Sequence, residues 1–539
     1  MARIGKYVID SLTRSMYEDS RCIYREYIQN AADQIDIARE QHLEENDYYE
    51  IHIRIFRNQR RIEIEDTATG VSASQQDTFK DVATSQKQRG KHKGFRGIGR
   101  LGGLGYCTTL TFETSYKGEV VKTLMHWDAA KMNRIVDDEM DESEASNVID
   151  DCTSFEEQAE SLEKHYFKVI MENVTDDRLL DVNNIRNYLS MVAPVDYPTQ
   201  FGIFSSKIKR YVQNNNIALD VYNIFIGDES GEEQIYKGYT TKIKDARNGD
   251  YDIRDIKIFD RKDKDSNLIY WGWYSVSELR GQIPANNVAY GIRLRCKNIQ
   301  VGDERTCRNF FLAEGDKRFS QYFYGELYVE TLQLMPDARR DYLRECEYRS
   351  IFEGMVRDDF TVLKDLCNEA SSIRGIIKKI TVADKEKTEI EKKRESGSFL
   401  SQKEIDDDSE KYERLRKKKE KAILQLEKKK QETSQSNSPL CFIYDTISEQ
   451  DSQPSIVQEP IGSTDGTSSN TPTTIQKEET PPTEETVQPK LRTDNIIYKK
   501  FGIKEKKIIN AVYNAIYNAI ADEAMREGLI KKIEKELTK

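Results

Sequence analysis

Six glycines stand within the twelve residues from Gly94 to Gly105, and this cluster restricts the fold more than any other part of the chain. They are Gly94, Gly97, Gly99, Gly102, Gly103 and Gly105. An ordinary turn needs only one or two such residues. A glycine-rich run leaves backbone N–H groups free to surround phosphate oxygens, above all where a helix follows. The basic segment before it, QKQRGKHKG at 86–94, adds charge that favours a polyphosphate.

Two common phosphate-binding motifs do not account for the cluster. The spacing Gly97-x-Gly99-x-x-Gly102 fits the dinucleotide fingerprint, but that loop must directly follow a hydrophobic strand. Here the preceding residues are polar and basic. A P-loop requires GxxxxGK[ST], and this string does not occur in the chain. The glycines therefore indicate a different kind of nucleotide site.

A carboxylate and an amide are spaced for one helical face near the start of the chain. The apolar spacing predicts a helix over 11–39. Within it, Glu26, Asn30 and Asp33 stand at positions i, i+4 and i+7, which share a face. The carboxylate of Glu26 can take a proton from water, and the amide oxygen of Asn30 can bind Mg²⁺. Alone, such a pair is more often an ordinary solvated face of an amphipathic helix.

A predicted hairpin ends on an acidic residue. EIHIRIF at 50–56 and RRIEIED at 60–66 alternate with period two, which predicts two paired strands. Asp66 closes the second strand and opens the turn DTATG, which ends at Gly70. An aspartate there can accept a hydrogen bond from an exocyclic amino group such as that of adenine, and small residues let a ring approach the backbone. The alternative is an ordinary turn.

Taken in order, these features resemble the GHKL ATPases, which include the heat-shock-protein-90 chaperones, the MutL repair proteins and the MORC proteins. Ala83-Thr84-Ser85 and Gly94-Phe-Arg-Gly97 are similar to the MutL lid and phosphate loop. The resemblance implies Glu26 as general base, Asn30 as Mg²⁺ ligand and Asp66 as adenine contact. It implies further ATP contacts from Asp33, Gly70, Thr84, Ser85, Gly94, Arg96, Gly97, Gly99, Gly102, Gly103 and Gly105.

The resemblance extends to a second domain. Met335-Pro-Asp-Ala-Arg339-Arg340-Asp-Tyr-Leu343 follows a predicted strand, and in the chaperone and repair families a transducer domain sends a cation to the γ-phosphate from such a stretch. The MutL pattern selects Arg339 for this catalytic role, and the chaperone pattern selects Arg340. A guanidinium there would stabilise charge on the phosphate. The alternative is a surface Arg-Arg pair.

Two departures from the family pattern stand out. Ala68 occupies a position where the family usually has glycine, and the usual threonine is absent from HYFKVIMEN at 165–173. Both affect the expected nucleotide affinity more than the expected fold.

The predicted fold class is α+β, in five parts. They are a GHKL (Bergerat) α/β sandwich ATPase domain at 1–190, an α/β transducer at 196–345, a helical, partly coiled-coil arm at 346–432, a disordered linker at 433–492 and a C-terminal helix at 493–539. The linker is rich in Ser, Thr, Gln and Glu and holds seven of the eleven prolines. The apolar spacing of the last helix predicts a dimer or partner contact.

The resemblance implies a slow ATPase that uses ATP and Mg²⁺ as a conformational switch and closes as a homodimer. Three kinds of partner for this switch remain open. The first is a protein client bound through 346–539, in a chaperone-like or defence-type system. The others are DNA, in a clamp of the MutL or MORC kind, and the partner of an ATP-binding scaffold that does not turn over. Nine Lys/Arg within 414–430 are available to DNA, although they alternate with glutamates as in a solvated helix.

Charge and cysteine usage narrow the class of protein. The net charge of -11 argues against a protein that mainly coats nucleic acid. No apolar run reaches the roughly 18 residues that span a bilayer, so no membrane partner is expected. The eight cysteines are scattered and form no CxxC pair, which argues against a disulfide framework or zinc site. We expect a cytoplasmic protein.

Overall fold

The computed structural model describes residues 3–82, 93–94, 97–244, 250–436 and 438–444, together with 509 and 529–533. The chain divides into two compact units, Met1–Ser452 and Gln453–Lys539. The second unit is described only at 509 and 529–533. None of the helices in these described ranges is both long and apolar enough to cross a membrane.

Helices and strands are mixed along the first unit, which confirms the α+β class. The helices are α1 (Tyr7–Leu12), α2 (Cys22–Glu40), α3 (Ala129–Asp137), α4 (Ala145–Cys152), α5 (Val182–Val192), α6 (Gly202–Asn214), α7 (Glu347–Glu395) and α8 (Gln402–Gln435). The strands are β1 (Glu50–Phe56), β2 (Arg61–Asp66), β3 (Thr109–Ser115), β4 (Val121–Asp128), β5 (Thr153–Ala159), β6 (Tyr166–Glu172), β7 (Asn223–Asp228), β8 (Gly231–Gln234), β9 (Lys242–Lys244), β10 (Asp250–Asp252), β11 (Asp255–Lys262), β12 (Leu268–Val276), β13 (Gly291–Cys296), β14 (Ile299–Val301) and β15 (Tyr324–Val329).

The first sheet has eight strands in the order β5-β4-β3-β6-β2-β1-β7-β8. The predicted hairpin of β1 and β2 is confirmed, with Ile53 opposite Ile64. Alternate residues of β1 are buried, as its period-two pattern requires, and they pack with Ile28 and Ile35 of α2 in one core. The result is a layer of helices against a sheet.

Two strands of this sheet come from the segment that the sequence assigned to the second domain. β7 runs parallel to β1, with Ile224 beside Ile51, and β8 pairs with β7 at the edge. The predicted boundary between 190 and 196 therefore does not separate the two sheets. Ile224 and Ile226 complete the buried face of β1. Because β1 and β7 are far apart in the sequence, no local pattern indicates that they pair.

The helix that carries Glu26 is shorter than predicted. α1 ends at Leu12, and α2 begins only at Cys22, so the helix predicted over 11–39 is interrupted. In the intervening segment, the Asp19 carboxylate accepts a hydrogen bond from the backbone N–H of Arg21 at 3.1 Å. Local side-chain bonds of this kind compete with helix formation.

The second sheet has five strands in the order β11-β12-β15-β13-β14. β12, with the sequence LIYWGWYSV, is buried along almost its whole length and is mostly apolar and aromatic, as expected for a strand covered on both faces. On one face Tyr211 of α6 contacts Trp271, with ring centroids 5.5 Å apart. On the other face Phe352 of α7 contacts Tyr270 at 5.4 Å. β9 and β10 form a separate two-stranded sheet.

A helical arm leaves the second sheet. α7 has 49 residues and is therefore about 74 Å long. Lys419 of α8 pairs with Asp384 of α7, and Lys411 pairs with Glu386, so the two helices run antiparallel.

The chain stays packed beyond the predicted start of the linker. α8 continues to Gln435, and Leu440, Ile443 and Tyr444 are buried in the core beneath α7. The predicted boundary at 433 is therefore too early, because these apolar residues follow the polar stretch that suggested disorder. The rest of the predicted linker, 445–492, lies outside the described residues. The predicted C-terminal helix also lies outside them, except at 509 and 529–533.

A fully buried charge cluster holds the second sheet to the chain that leaves the first. Lys237, which follows β8, donates to Glu326 Oε1 at 2.7 Å, and Arg295 forms an ion pair with the same oxygen. Tyr328 donates to the other carboxylate oxygen at 2.7 Å. Burial alone would raise the pKa of Glu326, but Arg295 and Lys237 lower it. Burial and the adjacent guanidinium lower the pKa of Lys237.

Replacing Glu326 with alanine should destabilise the protein by about 3–5 kcal/mol, because two buried cations lose their shared carboxylate. Urea unfolding followed by tryptophan fluorescence measures this, since Trp273 contacts the same carboxylate. Glu314→Ala is the matched control: it breaks a 2.6 Å pair with Lys317 at the surface, where water screens the two charges, and should leave the urea midpoint nearly unchanged. Equal stabilities of the two variants would contradict the role of the cluster.

Candidate functional site

A cavity of about 460 Å³ lies between α2 and the second sheet. One wall comes from the first core and carries Glu26, Asn30, Asp66, Gly70, Gly94, Gly97 and Gly99. The opposite wall comes from the second sheet and the loop after it, and carries Lys297, Asn298, Tyr328, Glu330 and Arg340. The structure thus brings together residues that the sequence places more than 300 positions apart.

Glu26 is buried and held in place by its neighbour on α2. Arg25 Nη2 donates to Glu26 Oε1 at 2.9 Å, and both side chains are at most 8% exposed. Burial alone would lower the pKa of Arg25, but the Glu26 carboxylate outweighs it and raises that pKa. The other carboxylate oxygen lies beside Gly99, where an added Cβ would stand 2.8 Å from it. Asn30, one turn later, lines the same cavity.

Asp33 stands on the same helix but shapes the loop instead of lining the cavity. Its Oδ1 accepts the N–H of Lys93 at 2.7 Å, and its Oδ2 accepts the N–H of Gly94 at 2.9 Å. A carboxylate that takes two consecutive backbone N–H groups fixes the direction in which the loop continues. Any contribution of Asp33 to a ligand is therefore made through the loop backbone.

Asp66 ends β2 and borders the cavity. It is 4% exposed, and its Oδ1 accepts the N–H of Ala68 at 3.1 Å, which forms the turn. Gly70 follows with φ +65°, and an added Cβ there would lie 1.9 Å from the carbonyl oxygen of Ser115. The turn therefore requires glycine at this position.

The six glycines divide between two surfaces. Gly94, Gly97 and Gly99 line the cavity, and Gly97 has φ +70°. The remaining three, Gly102, Gly103 and Gly105, belong to a 3-10 helix (Gly99–Gly105) that packs against the start of the chain. An added Cβ at Gly103 would lie 2.4 Å from the Tyr27 hydroxyl, and one at Gly105 would lie 3.0 Å from Arg14 Cγ. Thr84, Ser85 and Arg96 lie outside the described residues.

The structure distinguishes the two candidate arginines. Arg340 is 6% exposed, lines the cavity and donates to Gln29 Oε1 at 2.8 Å and to the Lys93 carbonyl at 3.3 Å. Burial, and then the charge of Arg25, lower the pKa of Arg340. The side chain of Arg339 is exposed, and its carbonyl accepts Arg25 Nη2 at 2.9 Å.

Several cavity residues were not anticipated. Lys297 and Asn298 form a two-residue turn between β13 and β14, with φ +53° and +56°. The sequence KN is not one of the usual two-residue hairpin signals, which contain glycine, and nothing local connects it to a ligand. Glu330 accepts Trp271 Nε1 at 2.9 Å, and burial raises its pKa. Gln29 and Lys93 stand beside predicted residues but carry no motif of their own.

The set of groups around the cavity has a definite chemical character. A carboxylate and an amide on one helix, backbone N–H groups of a glycine loop and a buried guanidinium suit a metal-bound polyphosphate. Asp66 at the far side suits an amino-bearing ring. The volume lies within the range of small-molecule sites, about 300–1,000 Å³.

Comparison with known proteins agrees with this chemistry. Residues 25–159 match the family model described as histidine kinase-, DNA gyrase B- and HSP90-like ATPase. The matched segment begins at Arg25 and ends with the last residue of β5. No curated protein matches the chain.

Replacing Gly94 with alanine should weaken ATP binding about tenfold or more, because the loop loses charge-assisted bonds to phosphate. The added Cβ would stand 2.5 Å from Gln29 Nε2, so either the loop moves or Gln29 gives up its bond with Arg340. Gly102→Ala is the matched control, since its Cβ would meet nothing closer than 3.5 Å. Calorimetric titration measures the affinity of both variants for ATP. Equal affinities would show that the position of the loop does not govern binding.

Proposed function

We propose, from the GHKL-type ATPase domain that residues 25–159 carry, that this protein binds and slowly hydrolyses ATP as a conformational switch. The observation that carries the proposal is the meeting of Glu26, Asn30, the glycine loop and Arg340 around one cavity. Each of these features alone has an ordinary structural explanation. Their convergence on one site of nucleotide size does not.

Each wall of the cavity has a distinct proposed role. Asp66 accepts a hydrogen bond from the adenine amino group, and the N–H groups of Gly94, Gly97 and Gly99 contact the phosphates. Glu26 takes the proton of the attacking water. Mg²⁺ would be held by the amide oxygen of Asn30 together with phosphate oxygens, and would neutralise phosphate charge when bound.

We assign the γ-phosphate contact to Arg340, not Arg339. Arg340 is the arginine whose side chain borders the cavity and reaches the carbonyl of Lys93. Arg25 has a supporting role, because it holds the Glu26 carboxylate and the carbonyl of Arg339 at once. The base and the γ-phosphate contact are thus tied to the same loop, which makes turnover dependent on the second sheet.

This dependence supports a switch that couples ATP to domain arrangement and, as in related ATPases, to homodimerisation. The arm favours a protein partner, in a chaperone-like or defence-type system, over a DNA clamp. Several of its cations are already paired with carboxylates: Arg414 with Glu410, Arg416 with Glu413 and Glu420, and Lys419 with Asp384. Paired cations contribute less to the release of counterions that drives DNA binding.

Glu26→Ala should retain ATP binding and lose turnover by about 10²–10⁴-fold, the usual contribution of a general base. Phosphate release measures turnover, and titration with ATP measures binding. Light scattering should then show more dimer with ATP than in the wild type, because the bound state persists. Glu40→Ala, at the end of the same helix, should turn over normally. Undiminished turnover in Glu26→Ala would overturn the assignment of the base.

Arg340→Ala should weaken ATP binding about tenfold more than it weakens ADP binding, because only ATP loses a charge-assisted bond to the γ-phosphate. Arg339→Ala, one residue away with an exposed side chain, should behave as the wild type with both nucleotides. Competition titrations with ATP and ADP give the comparison. An equal loss for ATP and ADP in Arg340→Ala would place its guanidinium away from the γ-phosphate.

A further inference from the structure

Lys93 begins the described part of the glycine loop, yet its side chain is drawn away into ion pairs. Its ammonium lies 2.6 Å from Asp36 Oδ2 on α2 and 3.0 Å from Asp220 Oδ2 in the segment between α6 and β7. The side chain is 2% exposed and lies 5.0 Å from the centre of the Tyr222 ring. The two carboxylates therefore use the charge that a lysine in this loop would otherwise offer to phosphate.

The backbone of the same residue is held from two further directions. Asp33 accepts its N–H at 2.7 Å, and Arg340 donates to its carbonyl at 3.3 Å. Lys93 is thus contacted by α2, by the segment before β7 and by the loop after β15. It is the point at which the glycine loop meets both parts of the cavity wall.

The contact through Asp220 continues into the second sheet. Asn298 Nδ2 donates to the carbonyl of Asp220 at 2.6 Å, and Asn298 Oδ1 accepts the ammonium of Lys237 at 3.0 Å. Asn298 lies in the turn that borders the cavity. A displacement of this turn would therefore move Asp220, and with it one of the two carboxylates that stabilise the buried ammonium.

We propose that Lys93 is a positioning residue: its ion pair with Asp220 sets the conformation of the glycine loop according to whether the second sheet is docked. The physical basis is the cost of burying an ammonium, which is offset only while its carboxylate partners remain in place. When the 220 segment moves, the ammonium loses a partner and the loop relaxes. Nucleotide affinity and docking are then coupled, each favouring the other.

The coupling rests on the proposed ATP binding, but the loop contact itself can be measured without nucleotide. In nucleotide-free protein, Lys93→Met and Asp220→Asn should each speed hydrogen exchange of the glycine-loop amides about fivefold, because local opening becomes easier. Lys117→Met, which removes a partly exposed lysine paired with Glu44, should leave that exchange unchanged. Unchanged exchange in both loop variants would overturn the positioning role.

Nucleotide titrations test the consequence. Lys93→Met should weaken ATP binding about tenfold, and Asp220→Asn should also weaken it. The double variant should lie within about twofold of Lys93→Met, because Lys93→Met already removes the ion pair that Asp220→Asn breaks. Lys93→Arg, which keeps the charge, should recover part of the affinity. Fully additive losses would overturn the coupling.

The two proposals fail in different ways. A wild-type protein that binds no ATP refutes the proposed function, while the exchange experiment still decides whether Lys93 positions the loop. A wild type that binds ATP, with variants of equal affinity, refutes the coupling alone. Should Lys93→Met fold poorly, Asp220→Asn keeps the shape of its side chain and provides the same comparison.

Discussion

The buried guanidinium of Arg340 joins two parts of the chain that lie far apart in sequence. Its position is costly, because the residue has φ +57° and its charge is removed from water. Its hydrogen-bond acceptors in the protein are the neutral oxygens of Gln29, Lys93 and Cys296. The nearby charge of Arg25 lowers its pKa, and the carboxylates of Glu26 and Asp33 act in the opposite direction. A guanidinium bonded to neutral oxygens can form a stronger, charge-assisted bond with an anion that enters the cavity beside it.

The loop after β15, which carries Arg339 and Arg340, also contacts the Glu26 carboxylate through Arg25. Arg25 bridges Glu26 and the carbonyl of Arg339, so the orientation of the proposed base, Glu26, depends on where this loop lies. The loop is in turn fixed to the second sheet, because the N–H of Gly302 donates to the Arg340 carbonyl at 2.6 Å. A site assembled by two halves can respond to their arrangement, whereas a site built within one core cannot.

Sequence patterns predicted the local part of this arrangement well. The alternation of β1 and β2 and the spacing of Glu26 and Asn30 are set by neighbouring residues, and both are found in the structure. The choice between Arg339 and Arg340 was not predictable, since adjacent residues differ only in which one the loop turns inward. The pairing of β7 with β1 and the partners of Lys93 were equally hidden, because each joins segments that are distant along the chain.

The glycine-rich segment was recognisable in the sequence, but the contacts that hold it in place were not. Backbone N–H groups can bind phosphate whatever the side chains are, so the binding surface itself contains little sequence information beyond the absence of Cβ atoms. Other residues fix the conformation of this segment. Asp33 accepts two of its N–H groups, and the Tyr27 hydroxyl accepts the N–H of Gly103 and donates to the Arg100 carbonyl. A motif residue can therefore shape a loop at the cavity without lining the cavity itself, and Asp33 does so by accepting two backbone N–H groups.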